Sequence, residues 1–355
     1  MKKLYPLIVL LLAAAACNRQ EPRVYTLKSS EITMEVTDFG GRVVSLCTKD
    51  RDGNWENIVA SHKDLKDYIT PPGERFLGAT VGPVANRIGN ASFTLDGVTY
   101  NTPANDNGVN TLHGGFKGLD NIFWKVESVC DSAITFSFTH PDLEEGFPGN
   151  LVAEVTYSLS GPDFAVTVVA HTDKATPVNI THHPFFCLRG EGTDTVEPYV
   201  MWIKASNYIP IDSLSIPTGE IAPVEGTPFD FREPHTIGER IGEDNIQLAY
   251  AHGYDHNWCL DKETDGVESV CYVYDPVSGR KIEVLTDQMG LQFYSGNFFD
   301  GSEKGSNGKD LIFRCALALE AQGWPDAVNN PQFPSQVLEP GQVYTNKTVY
   351  RFSAE

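Results

Sequence analysis

Leu151-Val152-Ala153-Glu154-Val155-Thr156-Tyr157-Ser158-Leu159 and Phe164-Ala165-Val166-Thr167-Val168-Val169-Ala170-His171, separated by Gly161-Pro162-Asp163, place an apolar side chain at every second position on either side of a short break. A strand sends successive side chains to opposite faces, so a period of two buries one face and leaves the other toward solvent. Gly, Pro and Asp together supply turn chemistry. The two runs therefore read as adjacent antiparallel strands.

The same pattern extends in both directions. Ala133 to Thr139 alternates before this pair, and Phe93, Leu95, Val98 and Tyr100 flank Asp96-Gly97, a dipeptide that takes the positive φ angles of a tight hairpin without strain. Further runs follow at Val267 to Tyr274, Lys281 to Leu285, Leu291 to Tyr294, Ile312 to Leu319 and Tyr344 to Phe352. Helical periodicity is scarce, no repeat at solenoid or propeller spacing appears, and no low-complexity linker divides residues 24–355. So many strands in one unit must bury two faces, which predicts an all-β domain built as a large antiparallel β-sandwich.

The 355 residues are 41% hydrophobic and 21% charged, enough to bury a sizeable core. Lys and Arg total 27 against 47 Asp and Glu, a formal charge of -20 that repels a nucleic-acid backbone and disfavours anionic lipid and phosphorylated substrates. Lys2 and Lys3 precede an apolar run from Leu4 to Ala16. A bilayer span needs about 20 apolar residues, so this shorter run is expected to be an export signal, residues 1–16. It ends in Ala14-Ala15-Ala16-Cys17, which resembles the small-residue box before the lipidated cysteine of bacterial lipoproteins. Lipid on Cys17, with residues 17–23 as tether, would hold residues 24–355 at a membrane surface in the periplasm or on the cell exterior, the only membrane contact expected. Six cysteines remain, none as C-x-x-C; scattered in a domain that needs no staples, they read as small buried hydrophobes, with Cys259 and Cys271 the only local pair worth checking for a bond.

Several separated stretches gather polar groups and aromatics beyond the needs of a β core. They are Gly82-Pro83-Val84-Ala85-Asn86-Arg87-Ile88, Asn110-Thr111-Leu112-His113-Gly114-Gly115, Asn179-Ile180-Thr181-His182-His183-Pro184-Phe185-Phe186, Gly253-Tyr254-Asp255-His256-Asn257, Gly290-Leu291-Gln292-Phe293-Tyr294 and Leu319-Glu320-Ala321-Gln322-Gly323-Trp324-Pro325-Asp326. Taken singly, each has a plain structural account. A strand Glu usually faces water, a lone His is usually a hydrogen-bonded structural group, Arg87 can pair with a buried carboxylate, and Asp255 can cap a turn. A His pair also suggests metal, but H-E-x-x-H and paired cysteines are missing and zinc needs three or four ligands.

In this order, and with Gly146-Phe147-Pro148-Gly149 and Pro217-Thr218-Gly219-Glu220, the stretches resemble the aldose 1-epimerase (galactose mutarotase) family from about Val24 to Phe352. The resemblance implies a supersandwich fold and interconversion of the α and β anomers of a free aldohexose such as galactose or glucose. That chemistry needs an acid and a base and no metal or redox cofactor. By motif position it implies Glu320 as the base, following the strand ending at Leu319, and His183 as the acid. It also implies sugar contacts from Asn86, Arg87, His113, Asp255 and Gln292, groups able to hold two hydroxyls or orient one. The glycines beside His113 would let a ligand approach the backbone closely. Phe185 is expected in the core, while Trp324 and Tyr294 are candidates to stack on a pyranose.

The chain departs from the family pattern at Pro83, His182, Pro184, Phe185 and Cys187, which bears on the groups that orient His183. A non-catalytic sugar-binding lipoprotein is the competing reading, and a sugar-phosphate epimerase is disfavoured by acidity. A monosaccharide is the expected partner, bound by a monomer or weak dimer.

Overall fold

The computed structural model describes residues 20–355; the expected signal at 1–16 and Cys17 lie outside the described residues. Arg23 is already tied to the domain, its N–H donating to Asp38 Oδ1 at 2.8 Å.

The alternating runs form one face of the molecule. Nine antiparallel strands lie in the order Lys125–Cys130, Ala133–His140, Leu151–Ser160, Asp163–Thr172, Tyr344–Ala354, Arg280–Thr286, Glu268–Tyr274, Val200–Ile203 and His235–Thr236. Leu151–Ser160 pairs with Asp163–Thr172 along its whole length, and in both strands burial alternates residue by residue. The Asp96-Gly97 hairpin also forms, with φ of 51° and 76° at its two turn residues.

A second sheet of six strands packs on the first, ordered Phe185–Phe186, Leu317–Gln322, Gly290–Tyr294, Asp255–Cys259, Asn207–Ile209 and Ala222–Pro223. Its middle strands are buried on both faces. One face carries Leu317, Leu319, Ala321, Leu291, Phe293 and Trp258 into a single hydrophobic cluster shared with Val155, Val166, Val168, Tyr350 and Phe352 of the large sheet. Tyr350 crosses between the layers, its hydroxyl donating to Leu319 O at 3.1 Å. The other face therefore carries the alternate residues: Asn257, Gln292 and Glu320 are direct cross-strand partners in one row, and Asp255 and Tyr294 pair in the next.

One sequence expectation changes. The run Ile312 to Leu319 becomes strand only from Leu317, because Arg314 takes a φ of 57° that breaks extended backbone before it. Glu320 sits inside that strand, which continues to Gln322. Cys259 and Cys271 are both free and belong to different hydrophobic clusters on different sheets, so no disulfide joins them.

Candidate active site

The polar face of the six-stranded sheet forms the floor of an open cleft of about 490 Å³, lined by Asn86, Arg87, His113, His183, Asp255 and Glu320 together with Glu74, Phe76, Leu112, Phe185, Tyr294 and Phe298. Strand Thr181–His183 pairs with Ala79–Val81 and, by its period of two, turns His183 into the cleft and His182 away from it. His183 Nε2 lies 3.3 Å from Glu320 Oε1, although the two are far apart in sequence. They meet side by side.

The rest of the wall is braced around this pair. His113 Nδ1 accepts the Asn86 N–H at 3.1 Å, and the His113 N–H donates to Asn86 O at 3.0 Å. A ring nitrogen that accepts cannot carry the proton, so His113 holds its hydrogen on Nε2. Gly114, at φ 84°, permits this turn: a Cβ there would lie 2.0 Å from Gly82 O. The close approach that this glycine allows is thus to the chain's own backbone. Arg87 Nε donates to Asp106 Oδ2 at 3.0 Å, and its Nη1 is 3.8 Å from Asp255 Oδ2. Both the carboxylate pairing and the cleft position of Arg87 are realised, whereas Asp255 lies in a strand and caps no turn.

Gln292 stands behind the wall. Its Nε2 donates to Asp255 Oδ1 at 2.7 Å, and it lines a small recess with Asn86, Asp255 and Asn257 instead of the cleft itself. Phe185 is buried as expected but also lines the cleft, with its ring 4.9 Å from that of His183. Tyr294 lines it too; Trp324 does not, since its Nε1 is committed to Met289 O at 3.1 Å and its ring to Phe333. Glu74, Phe76 and Phe298 were not legible as site residues, for they come from loops with no periodicity.

Burial acts on the two central groups in opposite senses. It holds the Glu320 carboxyl well above its usual range, reinforced by Asp255 and opposed by Arg87. It holds the His183 imidazole below its usual range, with the buried Arg42 guanidinium adding to the effect. Asp255 is also raised by burial, against Arg87 and Gln292, and His113 is pushed well down by burial and by His183. Both central groups therefore favour the neutral form and share one proton.

His113, His183 and Glu320 have ligand atoms within 4.8 Å of one another. A metal-binding imidazole must offer a lone pair on the coordinating nitrogen and usually donates from the other. The Asn86 amide forces the reverse on His113, leaving two ligands, too few for zinc.

Of the family departures, His182 and Cys187 face away from the pair, whereas Phe185 packs on His183. His182 sits between Tyr157, Phe164 and Tyr350, at 5.5, 5.6 and 6.0 Å between ring centroids, and Cys187 lies in a buried apolar cluster with Phe185 and Cys315. His183 is oriented instead by Phe185, His113 and Phe76.

An imidazole and a carboxyl in contact on the floor of a polar cleft can move a proton in each direction, the equipment of an acid–base enzyme on a β-sandwich scaffold. Residues 23–351 match the family described as aldose 1-epimerase. The chain is 41% identical over 329 residues to galactose mutarotase of Rattus norvegicus, covering 93% of each. It is 34% identical over 346 residues to aldose 1-epimerase of Escherichia coli (strain K12), covering 96% of this chain and 98% of that one. The crystal structure of the GalM/aldose epimerase homologue from C. elegans superposes with a TM-score of 0.86 at 26% identity, over 94% of this chain and 99% of that one. The chain belongs to the aldose 1-epimerase family.

Proposed function

We propose that this enzyme interconverts the α and β anomers of a free aldohexose such as galactose or glucose, with His183 and Glu320 as its acid–base pair. Opening the ring requires a proton taken from the C1 hydroxyl and one delivered to the ring oxygen as the C1–O5 bond breaks. Rotation about C1–C2 then presents the other carbonyl face, and closure reverses both transfers. O1 and O5 are bonded to the same carbon, so the acid and the base that flank the sugar must both reach one small pocket. The 3.3 Å contact between His183 Nε2 and Glu320 Oε1 is the observation that carries this reading.

Burial favours the shared proton on Glu320 at rest; once it passes to His183, the imidazolium faces O5 and the carboxylate faces O1. Ring opening moves one proton onto Glu320 and one off His183, leaving the pair's charge unchanged. Closure restores the start, so no redox partner enters. His113 offers its Nε2–H as a donor, Asp255 an acceptor, and Asn86 and Arg87 further donors to the remaining hydroxyls; Gln292 acts by holding Asp255. All these groups come from one chain, which suits a monomer or weak dimer. Polarimetry on freshly dissolved α-galactose and α-glucose is the test, and mutarotation well above the buffer rate is expected. Rates equal to buffer across several aldoses would overturn the proposal, and tight sugar binding without turnover would favour a binding lipoprotein.

We also propose export and lipid anchoring, supported by Lys2, Lys3, the apolar run to Ala16 and Cys17. Radiolabelled palmitate should enter the wild-type chain and not a Cys17→Ser variant; no label in either contradicts it.

A further inference from the structure

The cleft carries one acidic side chain that the acid–base chemistry does not use. Glu74 lines it from a loop, half-buried, outside every ordered motif of the sequence. Its backbone is fixed: the Glu74 N–H donates to Glu303 Oε2 at 3.0 Å, and Glu303 Oε1 lies 2.5 Å from His62 Nδ1, both groups buried. Its side chain is only half engaged. Oε1 accepts the Phe76 N–H at 2.9 Å, while among the described residues Oε2 accepts no hydrogen bond and neither oxygen pairs with a basic side chain. An ionised carboxylate has about four acceptor positions and no donor, so what completes it is a ligand rich in donors. Glu320 Oε2, on a residue 2% exposed, likewise accepts nothing from the chain.

The rest of the lining sets the sign of the ligand. With His183 and Glu320 counted as a pair sharing one proton, its charged side chains are Glu74, Asp255 and Arg87. Arg87 is committed, its Nε donating to Asp106 Oδ2 at 3.0 Å and its Nη1 3.8 Å from Asp255 Oδ2. Behind the lining, Arg42 and Arg75 are both held on Asp120, at 3.4 and 2.7 Å. The Glu74 charge is felt across the cleft: burial raises the Glu320 carboxyl and the Tyr294 hydroxyl, and Glu74 adds to both.

From this placement we propose that Glu74 is a substrate-contacting residue that sets specificity, accepting a hydroxyl of a neutral aldose and excluding hexuronates. A hexuronate differs from its hexose only in a carboxylate at C6, so size barely changes and charge decides. That carboxylate would meet acidic groups on a surface whose one guanidinium is already paired. The inference rests on the mutarotase reading, which seats the sugar in this cleft.

The experiment compares anomer exchange by NMR for galactose and galacturonate with the wild type, Glu74→Gln and Glu74→Lys, melting temperatures confirming that all three are folded. Burial raises the Glu74 carboxyl, so the comparison is made at about pH 8, well above the ordinary carboxylate range. The wild type should favour galactose in kcat/KM by at least about tenfold. Glu74→Gln keeps the shape and removes the charge; it should lower kcat/KM for galactose several-fold, through KM, and narrow the preference by about tenfold. Glu74→Lys should raise kcat/KM for galacturonate above its wild-type value. Equal exchange of the two sugars by the wild type would overturn the proposal. So would a common factor lost for both sugars in both variants, the mark of a merely structural role. Failure on galactose in the wild type would overturn the mutarotase reading itself.

Discussion

His183 and Glu320 are both buried, and burial moves them in opposite directions, the imidazole down and the carboxyl up. The chemistry asks for one proton between them, so the rate should fall when the pair gains a second proton in acid and when it loses its only one in alkali. Asp255 is the main charged group raising Glu320. Replacing it by Asn should therefore move the alkaline limb of kcat/KM to lower pH, and an unmoved or raised limb would contradict this electrostatic account. Glu320→Gln keeps the shape and removes the base; kcat should drop by roughly 10²–10⁴ with the melting temperature near wild type. A variant retaining more than about a tenth of the wild-type kcat would remove Glu320 from the chemistry. His182 shows what a one-residue step along a strand does: beside an acid–base candidate in sequence, it faces aromatic rings on the opposite side. The motif position named His183 as the acid, and the strand's pleat turns its neighbour away from the cleft.

Within the six-stranded sheet, neighbouring residues serve different ends. Leu291 faces the shared core and is fully buried, while Gln292 faces Asp255. Leu291→Ala should cost about 2–5 kcal/mol in urea unfolding and leave kcat/KM nearly unchanged below the transition. Gln292→Ala removes a hydrogen bond to a charged group and should lower kcat/KM by about tenfold, seen in initial rates. Were Leu291→Ala the variant with impaired turnover and intact stability, the assignment of the two faces would be wrong. The large sheet was legible because one of its faces meets water, which writes the alternation into residues 151–171. The inner sheet was less so: both sides of its pleat are buried, one in the core and the other under the cleft, and Ile312 and Phe313, at 41% and 46% exposed, extend the apolar pattern beyond the true strand start at Leu317.

Across the molecule, the cleft assembles from segments between residues 74 and 320, and those that carry ordered motifs could be named from sequence. Glu74, Phe76 and Phe298 could not, because contacts from elsewhere position their loops, such as Glu303 on the Glu74 N–H and Glu191 on the Ser306 and Asn307 N–H groups. The core between the sheets carries its own pH dependence. Burial lowers His182 from 6.5 to about 3, so below 6.5 the unfolded chain binds a proton that the folded chain refuses, and stability falls as pH falls toward 3. Relative to His182→Asn, the wild type should lose up to about 1.4 kcal/mol per pH unit in that window, measured by urea unfolding. Parallel pH profiles for the two proteins would mean that His182 is not held neutral. The most direct test of the whole account is a crystal structure with galactose bound. It should place O5 about 2.6–3.2 Å from His183 Nε2 and O1 at the same distance from a Glu320 carboxyl oxygen. A sugar seated with C1 away from both groups would contradict it.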